Sequence, residues 1–209
     1  MDFQHPFRVI TPTLDGEALA VLARAESNLS ARAVHRLLGR ASEAGVRRVL
    51  QRLRVEGIVL AEPAGRAILY RLNRDHLASR CVEELANPRR LLVHILAEFL
   101  GELHPKPVYV AIFGSVARGE ASPDSDLDLL VVRPQGIDED DAAWREAIGK
   151  LQQFATLVTG NHCHPLEYSQ EEFVGRVRDA PVLKQAQREG LTVLGSAEAM
   201  LQRVTSSGL

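Results

Sequence analysis

The chain has 209 residues, 45% of them hydrophobic and 25% charged, with a formal net charge of −2, the profile of a soluble globular protein with room for one large or two small domains. Its longest apolar stretch, Leu91 to Leu100, contains His94 and Glu98, and Met1 to Arg8 lacks the basic start and apolar core of a signal peptide, which argues against a membrane span and for a cytoplasmic protein. Two cysteines, Cys81 and Cys163, form neither a disulfide framework nor a Cys-x-x-Cys pair, in keeping with a reducing compartment.

The charge is unevenly spread. Residues 1–80 hold 13 Lys and Arg against 8 Asp and Glu, and residues 81–209 hold 12 against 19. A basic first part suits a polyanion and an acidic second part suits cations. From Leu14 to Ala25, apolar residues at Leu14, Ala18, Val21, Leu22 and Ala25 recur at helical spacing. Ser30 is a fitting N-cap for a second helix with Val34, Leu37 and Leu38 on one face, and Gly39 ends it. Ser42 caps a third helix whose inward stripe is Val46, Val49, Leu50 and Leu53, closed by Gly57. Ile58 to Ala61 and Ala67 to Leu72 are predicted as a hairpin around a turn from Glu62 to Arg66.

Three helices and a hairpin make a winged helix-turn-helix, and residues 14–74 resemble the winged-helix domains of bacterial and archaeal transcriptional regulators. On the outer side of the third helix stand Arg47, Arg48, Gln51, Arg52 and Arg54, side chains that reach base edges and phosphates. The resemblance puts Arg66 at the wing tip, against a minor groove or backbone. Double-stranded DNA is the expected partner of this domain, taken as residues 1–74; a solvated basic face or a protein-interaction module is the plainer alternative.

Residues 75–104 are expected to be a helical linker bent at Asn87-Pro88, where proline removes an amide and clashes with the preceding turn. Leu91, Leu92, Ile95, Leu96, Phe99, Leu100 and Leu103 are too many for one stripe, so the second half of this stretch is expected to be buried on two sides, against the domain that follows it and against either the winged helix or a second subunit. A homodimer follows from that and from the palindromes such regulators read.

From Val108 to Ile112 an apolar run leads into Phe113-Gly114-Ser115-Val116-Ala117-Arg118-Gly119-Glu120, and Ser125-Asp126-Leu127-Asp128-Leu129-Leu130-Val131-Val132 follows. The order is strand, glycine turn, short helix, loop, strand. A glycine at such a corner admits a ligand close to the backbone, and a helix start favours an anion, phosphate first. Alternation along the second strand points Asp126 and Asp128 the same way. Two neighbouring carboxylates repel unless a cation sits between them, and oxygen ligands suit Mg²⁺ or Mn²⁺.

After the motif, Asp138 to Asp141 are expected to crowd the first turn of a helix with Trp144, Ala147, Ile148, Leu151, Phe154 and Val158 inward and Gly160 at its end. His162 to Tyr168 is predicted as a strand, and Ser169 with Glu172 as a capping box. His162 and His164 flank Cys163 on that strand, but no second ligand pair lies elsewhere, so zinc is disfavoured and nucleotide or substrate contact preferred for the histidines. Asp179 and Pro181 start a last helix to Gly190, Leu191 to Leu194 is a short strand, and residues 196–209 are expected to be a frayed tail.

The Gly-Ser corner followed by Asp-x-Asp resembles the minimal nucleotidyltransferases of the DNA polymerase beta-like superfamily, on Gly114, Ser115, Asp126 and Asp128 together with Arg118, Gly119, Ala121, Ser122, Pro123 and Ser125. The resemblance implies an α+β protein: a winged helix-turn-helix, a helical linker, and a nucleotidyltransferase domain over residues 105–195 with a small mixed sheet. It implies Asp126 and Asp128 as ligands of Mg²⁺ or Mn²⁺, with Glu167 as third ligand or base where the family keeps a third carboxylate, more often an aspartate. Gly114, Ser115 and Arg118 are then the nucleotide-binding residues, and the substrate is an NTP, ATP foremost. The expected reaction moves a nucleotidyl group from that NTP to an acceptor hydroxyl of nucleic acid or protein. Two rivals stand beside it: a non-enzymatic winged-helix regulator that keeps the transferase fold as nucleotide sensor or dimer platform, and, again by resemblance, an antitoxin or toxin role on a HEPN-type partner or tRNA.

Overall fold

The computed structural model describes residues 1–177 and 179–206. Contacts divide it into two compact units, one formed by Asp2 with Gln4–Pro88 and the other by Met1, Phe3 and the chain from Arg89 on.

In the first unit a 3₁₀ turn (Pro6–Val9) precedes α1 (Leu14–Arg24), β1 (Leu29–Ser30), α2 (Ala31–Leu38), α3 (Glu43–Val55), β2 (Val59–Ala64), β3 (Ala67–Leu72) and α4 (Ser79–Ala86). Local chemistry sets the helix ends. The Ser30 hydroxyl accepts from the Ala33 amide and that of Ser42 from the Gly45 amide, each cap contributing about 1 kcal/mol. Gly39 leaves α2 at φ 68°, a left-handed conformation open to glycine. Leu22, Val34, Val46, Leu50 and Leu72 fill the core.

The three strands order β1-β3-β2, all antiparallel. Two details depart from expectation. Pairing of β2 with β3 runs on to Ala64 opposite Ala67, so the turn shrinks to Gly65-Arg66 and Pro63 lies inside a strand. An edge strand tolerates a proline, whose missing amide is not needed on the open side. The two-residue β1, with Leu29 opposite Tyr70, is too short to show alternation in the sequence.

The stretch expected as a single linker is shared out. It breaks at Asn87-Pro88 as expected, but α4 contributes Val82 and Ala86 to the first core and α5 (Pro88–Glu102) contributes Leu92, Leu96 and Leu100 to the second.

The second unit continues with β4 (Tyr109–Phe113), α6 (Gly114–Arg118), β5 (Leu127–Val132), α7 (Ala142–Thr159), β6 (Cys163–Tyr168), α8 (Gln170–Arg176), α9 (Pro181–Glu189), β7 (Leu191–Leu194) and α10 (Ala197–Ser206). Its sheet has the order β6-β5-β4-β7, with β5 and β6 parallel and the other pairs antiparallel. Val110, Ile112, Leu127, Leu129 and Val131 pack with α5 and with Trp144, Ile148 and Leu151 of α7. Tyr109, Ala111, Leu130 and Val132 pack on the other face with Phe173, Val177, Leu183 and Ala186. A sheet covered on both faces explains why β4 and β5 read as unbroken apolar runs. Each buried Leu or Ile there contributes about 1.5–3 kcal/mol.

The acidic run Asp138 to Asp141 precedes α7 instead of filling its first turn, and only its last member acts on the helix, the Asp141 carboxylate capping it by accepting from the Trp144 amide; Ser169 with Glu172 forms the expected capping box. The stretch from residue 196, expected as a frayed tail, contains α10, with Met200 buried in the second face of the sheet; residues 207–209 of that stretch lie outside the described residues. No helix among the described residues is long and apolar enough to cross a membrane.

Candidate active site

The chain leaves β4 at Gly114, where φ is 70°, and a Cβ there would run into Oδ2 of Asp128. Glycine is therefore required twice, for the left-handed backbone and for the carboxylate pressed against it. The register explains the approach: Phe113, the residue before the corner, pairs with Asp128. Asp126 lies just ahead of β5, exposed, and Asp128 lies within it, half-buried. The Asp128 carboxyl is raised above its ordinary value, first by burial and then by the Asp126 charge, while His164 and Arg118 pull it down. Gly114, Asp126 and Asp128 thus come together as the sequence implied.

The loop that carries Asp126 is held from below by a residue the sequence reading did not single out. Asn161, 1% exposed, donates from Nδ2 to the carbonyls of Ser125 at 2.7 Å and Ser122 at 3.1 Å. The Leu127 amide donates to the His162 carbonyl at 2.8 Å, tying the start of β5 to the start of β6. Nothing in the pattern around Asn161 sets it apart from an ordinary loop asparagine.

Ser115 sits half-buried in the first turn of α6, its carbonyl accepting from the Glu120 amide at 2.9 Å. Arg118 is nearby but engaged, its Nε donating to Glu120 at 2.7 Å and its Nη1 lying 3.8 Å from Glu189. Arg89 joins this corner unannounced, donating to the Ala117 carbonyl at 2.6 Å.

Glu167 does not belong to the set, which corrects the expectation. In the parallel pairing of β5 with β6, Asp128 stands beside His164 and Glu167 stands beside Val131. Three residues along an alternating strand is the opposite face, and there the Glu167 carboxylate accepts from Nε1 of the fully buried Trp144 at 2.6 Å. The pairing satisfies the indole in the core. Beside Asp128 the structure instead brings His164, whose Nε2 is 3.6 Å from Oδ2 of Asp126 and whose ring stacks on His162 with centroids 4.4 Å apart. Cys163 points the other way into the core, its thiol pushed up to about 12 by burial and then by Asp128, so His162, Cys163 and His164 do not converge on a zinc ion.

Among the described residues no three His, Cys, Asp or Glu side chains are gathered as a finished metal site. The donors that are present, two carboxylates whose charges oppose one another, fit a divalent cation by charge and by oxygen chemistry.

On the first unit, Arg47, Arg48, Gln51, Arg52 and Arg54 are all exposed on α3 and Arg66 is exposed at the hairpin turn. Arg47 pairs with Glu43 at 2.6 Å and Arg52 pairs with Asp15. Among the described residues no acidic side chain pairs with Arg48 or Arg66.

Residues 93–187 match the family model of the nucleotidyltransferase domain, a span that holds the corner, both aspartates and His164. No curated protein matches the sequence. Of solved structures, one described as a toxin-antitoxin with AMP-PNP is similar at 18% identity and a TM-score of 0.37, over 55% of this chain and 85% of that one. Two mutants of the toxin-antitoxin MntA-HpeT are similar at 17% and 18% identity, with TM-scores of 0.37 and 0.36 over 55% of this chain and 85% and 83% of theirs.

Proposed function

We propose that the second unit transfers a nucleotidyl group from an NTP, ATP foremost, to an acceptor hydroxyl, and that the first unit is a winged helix-turn-helix that binds double-stranded DNA. The observation that carries the transferase reading is the Asp126 and Asp128 pair pressed against the Gly114 corner, within a span that matches the nucleotidyltransferase domain.

Asp126 and Asp128 would hold the divalent cation. When bound, that ion neutralises the triphosphate and lowers the pKa of the attacking hydroxyl. Ser115 and the backbone at Gly114 face the phosphates. Asn161 keeps the Asp126 loop from drifting, because every carbonyl it holds lies within four residues of that carboxylate. Arg118 meets the growing charge on the leaving pyrophosphate by exchanging Glu120, an exposed and screened pairing.

The direct test is labelled NTP with divalent metal and either total RNA or protein as acceptor. Wild type is expected to transfer label, and D126N to lose more than the roughly 10- to 100-fold that follows loss of an outer-shell partner. Undiminished transfer by D126N removes this function from the site. The DNA reading rests on exposed arginines of α3 in a unit with a positive surplus, and mobility shift tests it through R48A and R66A.

A further inference from the structure

We infer that His164 is the third member of the Asp126 and Asp128 site, and that its imidazole tilts the site toward Mn²⁺ over Mg²⁺. The inference rests on the transferase reading and specifies which ion that site takes. Three observations carry it. His164 is the neighbour of Asp128 in the parallel β5 and β6 pairing, so both side chains leave the sheet on the same face. Its Nε2 stands 3.6 Å from Oδ2 of Asp126, whereas two donors each about 2.1 Å from one octahedral ion lie about 3 Å apart. A small turn of two exposed side chains closes that difference. His162 stacks on the imidazole with the planes 1° apart, and Nε2 is the ring atom nearest Asp126. The carboxylate that could have made the third ligand, Glu167, is held on the other face by Trp144.

The chemistry follows from the donors. Two carboxylates and a neutral imidazole carry one negative charge less than three carboxylates, and a nitrogen ligand is poorly matched to Mg²⁺, which keeps to oxygen. Mn²⁺ accepts the same octahedral oxygen-rich geometry and, as the first ion of the transition series that binds mixed nitrogen and oxygen sites, loses less than Mg²⁺ when one donor is nitrogen.

The test uses the full chain, with calorimetric titration of Mn²⁺ and Mg²⁺ and pulsed electron paramagnetic resonance of the Mn²⁺ form. Wild type is expected to favour Mn²⁺ and to show the modulation of a directly bound imidazole nitrogen. H164Q is expected to lose that modulation and H162Q to keep it. H164D is expected to bring the Mn²⁺ and Mg²⁺ affinities closer together, because it restores an all-oxygen donor set. Nitrogen modulation that is absent from wild type or survives in H164Q overturns the role of His164; if D126N still abolishes ion binding, the transferase reading stands without it. Failure of wild type to bind either ion, or binding indifferent to D126N, overturns both.

Discussion

Glu167 shows how one residue's role turns on which face of a strand it occupies. Its carboxylate satisfies the Trp144 indole, and an unsatisfied buried donor costs about 1–3 kcal/mol. E167A is therefore expected to lower the unfolding free energy read from denaturant titration by that amount while leaving ion binding and turnover per folded molecule intact, and E167Q, which keeps an acceptor, to sit close to wild type. Loss of ion binding in E167Q at full stability would return Glu167 to the site. Cys163 gives a second expectation at this scale. Burial raises its thiol from an ordinary 9.0 to about 12, so between those values the unfolded chain holds fewer protons than the folded one. Stability present below pH 9 is then lost as pH rises toward 12. Urea midpoints taken on either side of pH 9 are expected to fall across that window in wild type and to fall less in C163A. The two aspartates were legible in the sequence because spacing by two fixes a common face whatever the neighbours do. That His164 and not Glu167 stands beside Asp128 was not legible, because it needs the register of β6 on β5, which no local pattern contains.

At the scale of elements, local signals carried far. Ser30, Ser42, Ser169 and Glu172 make the hydrogen bonds their spacing promised, because a cap is satisfied within three residues and needs no tertiary knowledge. What depends on a partner from elsewhere in the chain was hidden: β1 exists through its pairing with β3, and the loop before β5 is shaped by Asn161 from the far side of α7. Removing the Asn161 amide takes its donor from the Ser125 carbonyl and leaves the Ser122 carbonyl with the Ser125 amide alone, so N161A is expected to reduce turnover by weakening the hold on Asp126, with a smaller effect on Tm than a core truncation such as L129A, which costs about 2–5 kcal/mol. Unchanged kinetics in N161A would mean that the loop holds its shape unaided. Helix α3 poses a matching question for the DNA proposal. Its exposed arginines differ in that Arg47 and Arg52 are already engaged by Glu43 and Asp15. R48A is expected to weaken specific binding by about 1–3 kcal/mol if it reads a base, and R66A to lower the salt slope by about 1 if it meets a phosphate. Mobility shifts untouched by both substitutions would rule out this face of the unit.

For the whole molecule, the division of charge was visible in the sequence but the division of contacts was not. The boundary falls at Pro88, inside what reads as one helical stretch, because the two halves of that stretch face different cores and only packing distinguishes them. The first residues cross the same divide: Met1 and Phe3 belong to the unit that contains the sheet β6-β5-β4-β7, while Asp2 and the chain from Gln4 to Pro88 belong to the other. Phe3 is 4% exposed within the core built on Leu96, Leu100, Leu129 and Trp144, and its amide donates to the Ala121 carbonyl at 3.0 Å. A phenylalanine remote in sequence thus closes the core beneath the loop that leads to Asp126. Multidomain chains need not unfold in one step, and Phe to Ala in a core costs about 3–5 kcal/mol. F3A is therefore expected to act on the second unit and not on the one that follows it in sequence. Hydrogen exchange read peptide by peptide separates the possibilities. In F3A, amides of β4 and β5 are expected to exchange faster while those of α3 keep wild-type protection, and L50A is expected to give the reverse. Faster exchange confined to the first unit in F3A would show that the side chain stabilises its sequence neighbours instead.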